Sequence, residues 1–230
     1  MIDLQKHIWE GWTVGDFVER LTPELDHIMS GRSWRRPFTS KQELAVWCRE
    51  NQPYYKKHIP GVDMSSGSLG QGVSAAVGMA LSAKMSNDDY RVYTLLGDGE
   101  IQEGQVWEAA MFAGARKLDN LVVVVDNNGL QIDGNIEDVC SPYPIDKKFE
   151  AFNFHVINID GHDFDQIASA LAEARATKGM PTAIIAKTVK GKGVSFMENQ
   201  ASWHGTAPND EQYKVAMEDL EKVGEALCQK

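Results

Sequence analysis

The chain has 230 residues, of which 43% are hydrophobic and 24% are charged, a composition typical of a globular protein with one large domain or one domain and an appendage. Its net charge of −10 argues against nucleic acid or an anionic membrane surface as a partner, because either would select a basic face. An anionic ligand would therefore need helix N-termini, a metal ion or groups of another chain to hold it.

The cysteines and the apolar segments indicate the compartment. Cys48, Cys140 and Cys228 are scattered, odd in number and without CxxC spacing, which favours reduced thiols over disulfides or zinc ligands. The N-terminus is charged where a signal peptide would be apolar, and the strongest apolar run, residues 121–125, is too short to cross a bilayer. We expect a soluble, cytoplasmic protein with no membrane partner.

The first 60 residues differ in composition from the rest and predict short helices. Pro23 after Thr22 is a helix-start signal, and residues 40–43 (Ser-Lys-Gln-Glu) have the spacing of a capping box. The tryptophans in this stretch are interpreted as packing anchors. We assign residues 1–60 to a helical N-terminal segment and residues 61–230 to a second domain.

From residue 61 onward, predicted helices and strands alternate. In chain order they are a helix at 74–84, a strand at 91–96, a helix at 105–116, a strand at 121–126, a loop at 127–146, a strand at 155–159, a helix at 164–177, a strand at 182–186 and a helix at 210–227. The alternation predicts an α/β fold with a parallel sheet sandwiched by helices. In such sheets ligands lie at the carboxyl ends of the strands.

Two polar loops follow neighbouring predicted strands, at residues 97–99 (Gly-Asp-Gly) and 127–130 (Asn-Asn-Gly-Leu). Each alone is more typical of a turn, since Gly, Asp and Asn are the usual turn formers. Together, about thirty residues apart around one helix and one strand, they bring Asp98 and Asn128 to one edge of the sheet. A carboxylate, an amide and a carbonyl are the hard oxygen donors that Mg²⁺ prefers, and the metal would let an acidic chain hold a diphosphate.

These loops resemble the thiamine diphosphate signature, and the surrounding segments resemble transketolase in the form that is split into two subunits. The resembling segments are residues 61–72, 96–108, 126–134, 159–163, 186–193 and 203–208. The resemblance implies a thiamine diphosphate-binding fold with thiamine diphosphate and Mg²⁺ as cofactors.

The resemblance also assigns residues to the cofactor. Asp98 and Asn128 are expected to ligate Mg²⁺ with their side chains and Leu130 with its carbonyl, while Gly99 contacts the diphosphate through its backbone. The aminopyrimidine and thiazolium rings would face the turn formed by Gly67, Ser68 and Leu69.

Two further residues receive catalytic roles from the resemblance. Glu103 matches a glutamate in a carboxylate network that links two cofactor sites, and the alternative is a first-turn acid favoured by the helix dipole. His204, in a Trp-His-Gly sequence, is expected near the diphosphate and the substrate as a hydrogen-bond donor, and the alternative is a structural histidine.

Part of the family pattern is missing. Transketolases carry three upstream histidines in Gly-His contexts, whereas His7, His27 and His58 each follow a residue other than glycine. The pyrimidine-binding domain, which supplies the glutamate that activates the cofactor, does not fit in this chain either. We therefore expect the partner to be a C-terminal, pyrimidine-binding transketolase subunit, in a homodimer or a heterotetramer.

The resemblance implies transfer of a two-carbon ketol unit between sugar phosphates, as in the pentose phosphate pathway. One alternative is another thiamine enzyme, such as a 1-deoxyxylulose phosphate synthase or a 2-oxo acid dehydrogenase component. The segments around Gly67 and His204 speak against the dehydrogenase. Another alternative is a non-catalytic thiamine diphosphate-binding module that has lost turnover together with its histidines.

Overall fold

The computed structural model describes residues 63–64 and 66–228. The predicted helices, tryptophan packing and upstream histidines of residues 1–60 lie outside the described residues, and so does the predicted boundary at residue 61. Residues from 66 onward belong to one compact unit. The division into two domains at residue 61 stays a prediction.

A parallel sheet forms the centre of this unit. In chain order the described strands are β1 (Val92–Gly97), β2 (Leu121–Asn127), β3 (Leu130–Gln131), β4 (Gly134–Asn135), β5 (His155–Asp160) and β6 (Thr182–Lys187). Four of those described pair in parallel in the spatial order β1-β2-β6-β5, while β3 and β4 form a small antiparallel hairpin. Gly97 lies opposite Asp126, and Asp126 opposite Ala186, so neighbouring strands end at one edge.

Helices pack on both faces of the sheet, as the sequence predicts. The described helices are α1 (Gln71–Ser86), α2 (Gly104–Ala115), α3 (Ile136–Cys140), α4 (Ile145–Ala151), α5 (Phe164–Ala176) and α6 (Asp210–Cys228). Residues of α1, α2 and α4 share one hydrophobic cluster with β1 and β2, and residues of α5 share a second cluster with β2 and β6. None of the described helices is long and apolar enough to span a membrane.

The apolar run of β2 explains why this strand lies at the centre. Val122 and Val123 are at most 1% exposed, and they belong to the clusters on opposite faces of the sheet. In a strand that is buried on both faces, all successive side chains can be apolar, so apolar and polar residues do not alternate. The loop at its end is therefore attached to a strand that is buried on both faces of the sheet.

The predicted loop at residues 127–146 is wrong in part, because it contains β3, β4, α3 and the start of α4. Strands of two residues and helices of five and seven are too short to show a clear hydrophobic period. Ile145 and Phe149 of α4 are nonetheless buried, one helical turn apart. This segment folds back onto the loops at the end of β2.

We predict that Gly114→Ala destabilises the protein and that Gly78→Ala does not, although both glycines lie inside helices. A Cβ at Gly114 would stand 1.9 Å from the carbonyl oxygen of Phe152, whereas a Cβ at Gly78 meets nothing within 4 Å. Overpacking costs about 1–3 kcal/mol and occasionally more, and this contact with backbone belongs at the upper end. Alanine in an open helical position adds about 0.5–1 kcal/mol of stability.

Urea unfolding followed by circular dichroism measures both changes. A Gly114→Ala protein with the midpoint of the parent chain would contradict the close approach of α2 to Phe152.

Candidate metal centre

The loops after β1 and β2 meet at the carboxyl edge of the sheet. Asp98 donates its N–H to the carbonyl oxygen of Asp126 at 3.1 Å, and its Oδ2 accepts the N–H of Gly129 at 2.6 Å. The Gly-Asp-Gly and Asn-Asn-Gly loops are thus joined directly across 31 residues. The structure brings together the two loops that sequence spacing alone predicts to be neighbours.

Asp98 is a buried carboxylate, with only 1% of its surface exposed. Burial raises its pKa, the N–H groups of Gly129 and Gly99 lower it, and the nearby Asp126 raises it further, so that the net pKa lies above the ordinary value. Among the salt bridges of the described residues, none involves Asp98. A divalent cation would supply the countercharge that this carboxylate lacks.

Asn128 is held by both ends of its amide. Its Nδ2 donates to Asp126 Oδ2 at 3.3 Å, and its Oδ1 accepts the N–H of Leu130 at 2.9 Å. An ionised carboxylate only accepts hydrogen bonds, so Asp126 selects the nitrogen end of the amide and leaves the oxygen end for other partners. Asp126 itself also accepts a hydrogen bond from the Thr188 hydroxyl.

These residues fit Mg²⁺ better than a softer metal. In the described part of the chain, no three His, Cys, Asp or Glu side chains cluster to hold an ion. The donors present are instead a desolvated carboxylate, an oriented amide oxygen and a backbone carbonyl two residues further on at Leu130. Mg²⁺ binds through few protein oxygens and keeps its other positions for water and phosphate.

The remaining predicted cofactor residues lie close to these loops. Gly99 donates its N–H to Asp98 Oδ1 at 2.9 Å, so a diphosphate would have to share that group. Gly67, Ser68 and Leu69 form an exposed turn just before α1, and Leu69 is 62% exposed. The contacts of these residues with cofactor stay predictions.

Glu103 is the N-cap residue of α2 and is exposed, but its side chain makes no capping hydrogen bond. Its Cβ would stand 2.9 Å from a Cβ placed on Gly70, so it packs beside the entrance to α1. The alternative interpretation placed Glu103 in the first turn of the helix, whereas Glu103 is the residue directly before that turn. Its role in a carboxylate network stays a prediction.

His204 is exposed, and its Nδ1 lies 3.3 Å from Lys190 Nζ. The neighbouring Trp203 fixes this loop, because its indole N–H donates to the carbonyl of Phe196 and the two rings pack 5.2 Å apart. Lys190 also lines a pocket of about 440 Å³ together with Asp126 and Asn128. His204 thus lies beside a lysine that lines the same pocket as Asp126 and Asn128.

Sequence reasoning missed several residues around the site. Lys187 received no role from the sequence, but it is the last residue of β6, and its charge lowers the pKa of Asp98. Tyr143 donates its hydroxyl to Asn127 Oδ1 at 2.6 Å, and burial together with Asp98 and Glu137 raises the pKa of Tyr143. Tyr143 carries no motif, and it falls in the segment that was predicted to be a loop.

Residues 51–222 match the family model described as the transketolase thiamine diphosphate-binding domain. The chain belongs to this transketolase domain family. Thiamine diphosphate is the cofactor of the domain, and Mg²⁺ is the usual metal of the family. The resemblance inferred from the motifs is confirmed, and the match begins ten residues before the boundary predicted at residue 61.

Several relatives are themselves transketolase subunits. The 6-deoxy-6-sulfo-D-fructose transketolase subunit SqwG of Clostridium sp. (strain MSTE9) is 48% identical over 164 residues, which are 71% of this chain and 60% of that protein. One subunit of the apulose-4-phosphate transketolase of Phocaeicola vulgatus is 41% identical, over 74% of this chain and 60% of that protein. The chain therefore aligns with about three-fifths of the length of each of these two proteins.

The fold of the chain is also that of transketolase. The crystal structure of transketolase from Campylobacter jejuni subsp. jejuni superposes with a TM-score of 0.66 at 38% identity, covering 70% of this chain and 26% of that chain. The α/β fold with a parallel sheet between helices is confirmed.

We predict that alanine at Asp98 or at Asn128 raises the Kd for thiamine diphosphate at least a hundredfold, about 3 kcal/mol, and removes its dependence on Mg²⁺. Each substitution deletes a proposed metal oxygen, and Asp98→Ala also leaves the N–H groups of Gly99 and Gly129 without their acceptor. Titration calorimetry at several Mg²⁺ concentrations measures the effect. Asp89→Ala, which removes an exposed carboxylate before β1, is the control and should bind like the parent chain.

Proposed function

We propose that this chain is the diphosphate- and Mg²⁺-binding half of a transketolase that moves a two-carbon ketol unit between sugar phosphates. The observation that carries the proposal is the 2.6 Å hydrogen bond between Gly129 N–H and the buried Asp98 carboxylate. It joins two loops whose oxygens suit Mg²⁺, beside a pocket large enough for part of a cofactor. Membership in the transketolase domain family supports the same conclusion.

Each predicted residue has a part in holding the cofactor. Asp98, Asn128 and the Leu130 carbonyl would hold the metal, and the metal would supply the positive charge for the diphosphate. The backbone of Gly99 would contact the diphosphate. The exposed turn of Gly67, Ser68 and Leu69 would face the rings of the cofactor. When bound, the cofactor supplies the reactive carbon that cleaves and forms the carbon–carbon bond beside a ketone.

Glu103 and His204 act outside the metal loops. Glu103 is exposed and has no capping bond, so its carboxylate is available to a network that crosses an interface between two cofactor sites. The Nδ1 of His204 lies 3.3 Å from Lys190 Nζ. The imidazole of His204 donates a hydrogen bond to the diphosphate or the substrate.

The enzyme is completed by a pyrimidine-binding transketolase subunit, in a homodimer or a heterotetramer in the cytoplasm. Both relatives are by name subunits, which supports a divided enzyme. One is named for a sulfo sugar and the other for a sugar phosphate. We infer sugar phosphates as the substrate class of this chain, with the particular donor and acceptor set largely by the partner.

A second candidate function is a thiamine diphosphate-binding module without turnover. The absence of the Gly-His contexts from residues 1–60 favours it, because those histidines contact substrate in transketolases. Such a module would bind the cofactor through the same metal loops. It differs from the enzyme only in what happens after a ketose phosphate is added.

Reconstitution is the experiment that separates these functions. We predict that the chain mixed with its pyrimidine-binding subunit, Mg²⁺ and thiamine diphosphate transfers two carbons from a ketose phosphate to an aldose phosphate, as detected by mass spectrometry of the sugar products. The same mixture with Asp98→Ala chain, and the partner alone, should show no transfer. Cofactor binding without transfer, decarboxylation or condensation would favour the binding module, and pyruvate-dependent condensation would favour a 1-deoxyxylulose phosphate synthase.

A further inference from the structure

Glu100 joins two segments of the chain that carry different parts of the proposed cofactor site. It begins the short 3₁₀ turn (Glu100–Gln102) that leads from the Asp98 loop to α2. Its Oε1 accepts the N–H of Gly70 at 2.9 Å, and its Oε2 accepts the N–H of Gly97 at 3.1 Å. One carboxylate therefore spans from the entrance of α1 to the end of β1, and both contacts are partly buried.

Gly70 is the fixed end of the exposed turn at residues 67–69. It is buried, it has a positive φ of 79°, and a Cβ there would stand 2.9 Å from Glu103 Cβ, so only glycine fits. The rest of the turn has local hydrogen bonds, from Ser66 Oγ and from Gln71 N–H to the carbonyl of Ser68. Of the hydrogen bonds described for this turn, the one from Gly70 to Glu100 ties it to the metal loop.

Gly97 is the corresponding fixed point on the metal side. It is the last residue of β1 and directly precedes Asp98, whose N–H donates to the Asp126 carbonyl. A carboxylate that holds Gly97 and Gly70 at once sets the distance between the Asp98 loop and the exposed turn. Glu100 belongs to none of the residues that the motifs assign to metal or cofactor.

We propose that Glu100 is a positioning residue. It keeps the turn at residues 67–69, which faces the cofactor rings, at a fixed distance from the loop that holds the metal and the diphosphate. This inference rests on the proposed function and deepens it, because it says how one chain aligns the two ends of a single ligand. Glu100 acts through Gly70 and Gly97 and touches neither ring nor phosphate.

Three side chains at position 100 give a graded test. Two charge-assisted bonds to one carboxylate are stronger than neutral ones, and alanine removes both acceptors. Glutamine keeps one acceptor oxygen but turns its NH₂ toward the other N–H group. Glu218→Ala is the matched control, since it deletes an exposed glutamate from α6 and changes the net charge by the same amount.

The first measurement is amide hydrogen exchange of the full chain without ligand, resolved by NMR. We expect exchange at Gly70 and Gly97 to be at least tenfold faster in Glu100→Ala, intermediate in Glu100→Gln and unchanged in Glu218→Ala. Exchange at Gly129, which is bonded to Asp98, should stay within twofold in all variants. Equal rates at Gly70 in the parent and Glu100→Ala chains, or a uniform acceleration that includes Gly129, would overturn the inference.

The second measurement compares two ligands in the presence of Mg²⁺. Inorganic pyrophosphate probes the phosphate end alone, and thiamine diphosphate probes both ends. For Glu100→Ala we expect a tenfold higher Kd for thiamine diphosphate and a change within twofold for pyrophosphate, with Glu100→Gln in between. Equal losses for both ligands, or no loss for either, would contradict a positioning role.

The two measurements also separate this inference from the proposed function. A parent chain that binds neither ligand would contradict the proposed function, and the exchange rates would then decide whether Glu100 holds the turn. A parent chain that binds both ligands, with Glu100→Ala indistinguishable from it, would overturn the positioning role and leave the proposed function intact.

Discussion

The buried carboxylate of Asp98 accepts N–H groups from its own loop and from the loop after the neighbouring strand, and the arrangement of the site follows from that contact. It fixes Gly129, and Gly129 lies between Asn128 and Leu130, the other two proposed metal ligands. The contact is possible because β1 and β2 are parallel and end together, with Gly97 opposite Asp126. A desolvated negative charge is costly unless it is compensated. The buried Asp98 carboxylate that orders the loops would therefore be stabilised by a nearby cation.

A metal ion held at this site would explain how an acidic chain binds an anionic cofactor. A protein with a net charge of −10 has no general attraction for a diphosphate, and in the described residues the metal loops are rich in carboxylates and amides. In the proposed site the positive charge comes chiefly from a metal ion held by the Asp98 carboxylate, with Lys187 as a secondary contribution. Affinity for cofactor and affinity for metal are then linked, and neither is a property of the chain alone.

The sequence predicted the architecture well and the surroundings of the site less well, for physical reasons. The long apolar run of β2 and the alternation of elements indicated the parallel sheet, because both are visible in local sequence patterns. The spacing of the two loops indicated that Asp98 and Asn128 lie at one edge of the sheet, because parallel strands end there together. Asp126, Thr188 and Tyr143 were missed because their roles depend on hydrogen bonds between distant segments, which no spacing encodes. Residues 127–146 were predicted to be a loop since strands of two residues and helices of five to seven residues leave no clear periodic trace.

Helix α2 links the far side of the molecule to the proposed interface residue Glu103. Gly114 near its last turn rests against the Phe152 carbonyl, and Glu103 stands at the N-cap position before its first turn. With a rise of about 1.5 Å per residue, the helix acts as a strut of about 16 Å between these two points. The position of Glu103 is therefore set relative to the backbone after α4, and a repacking there would shift Glu103 along the helix axis at the proposed interface.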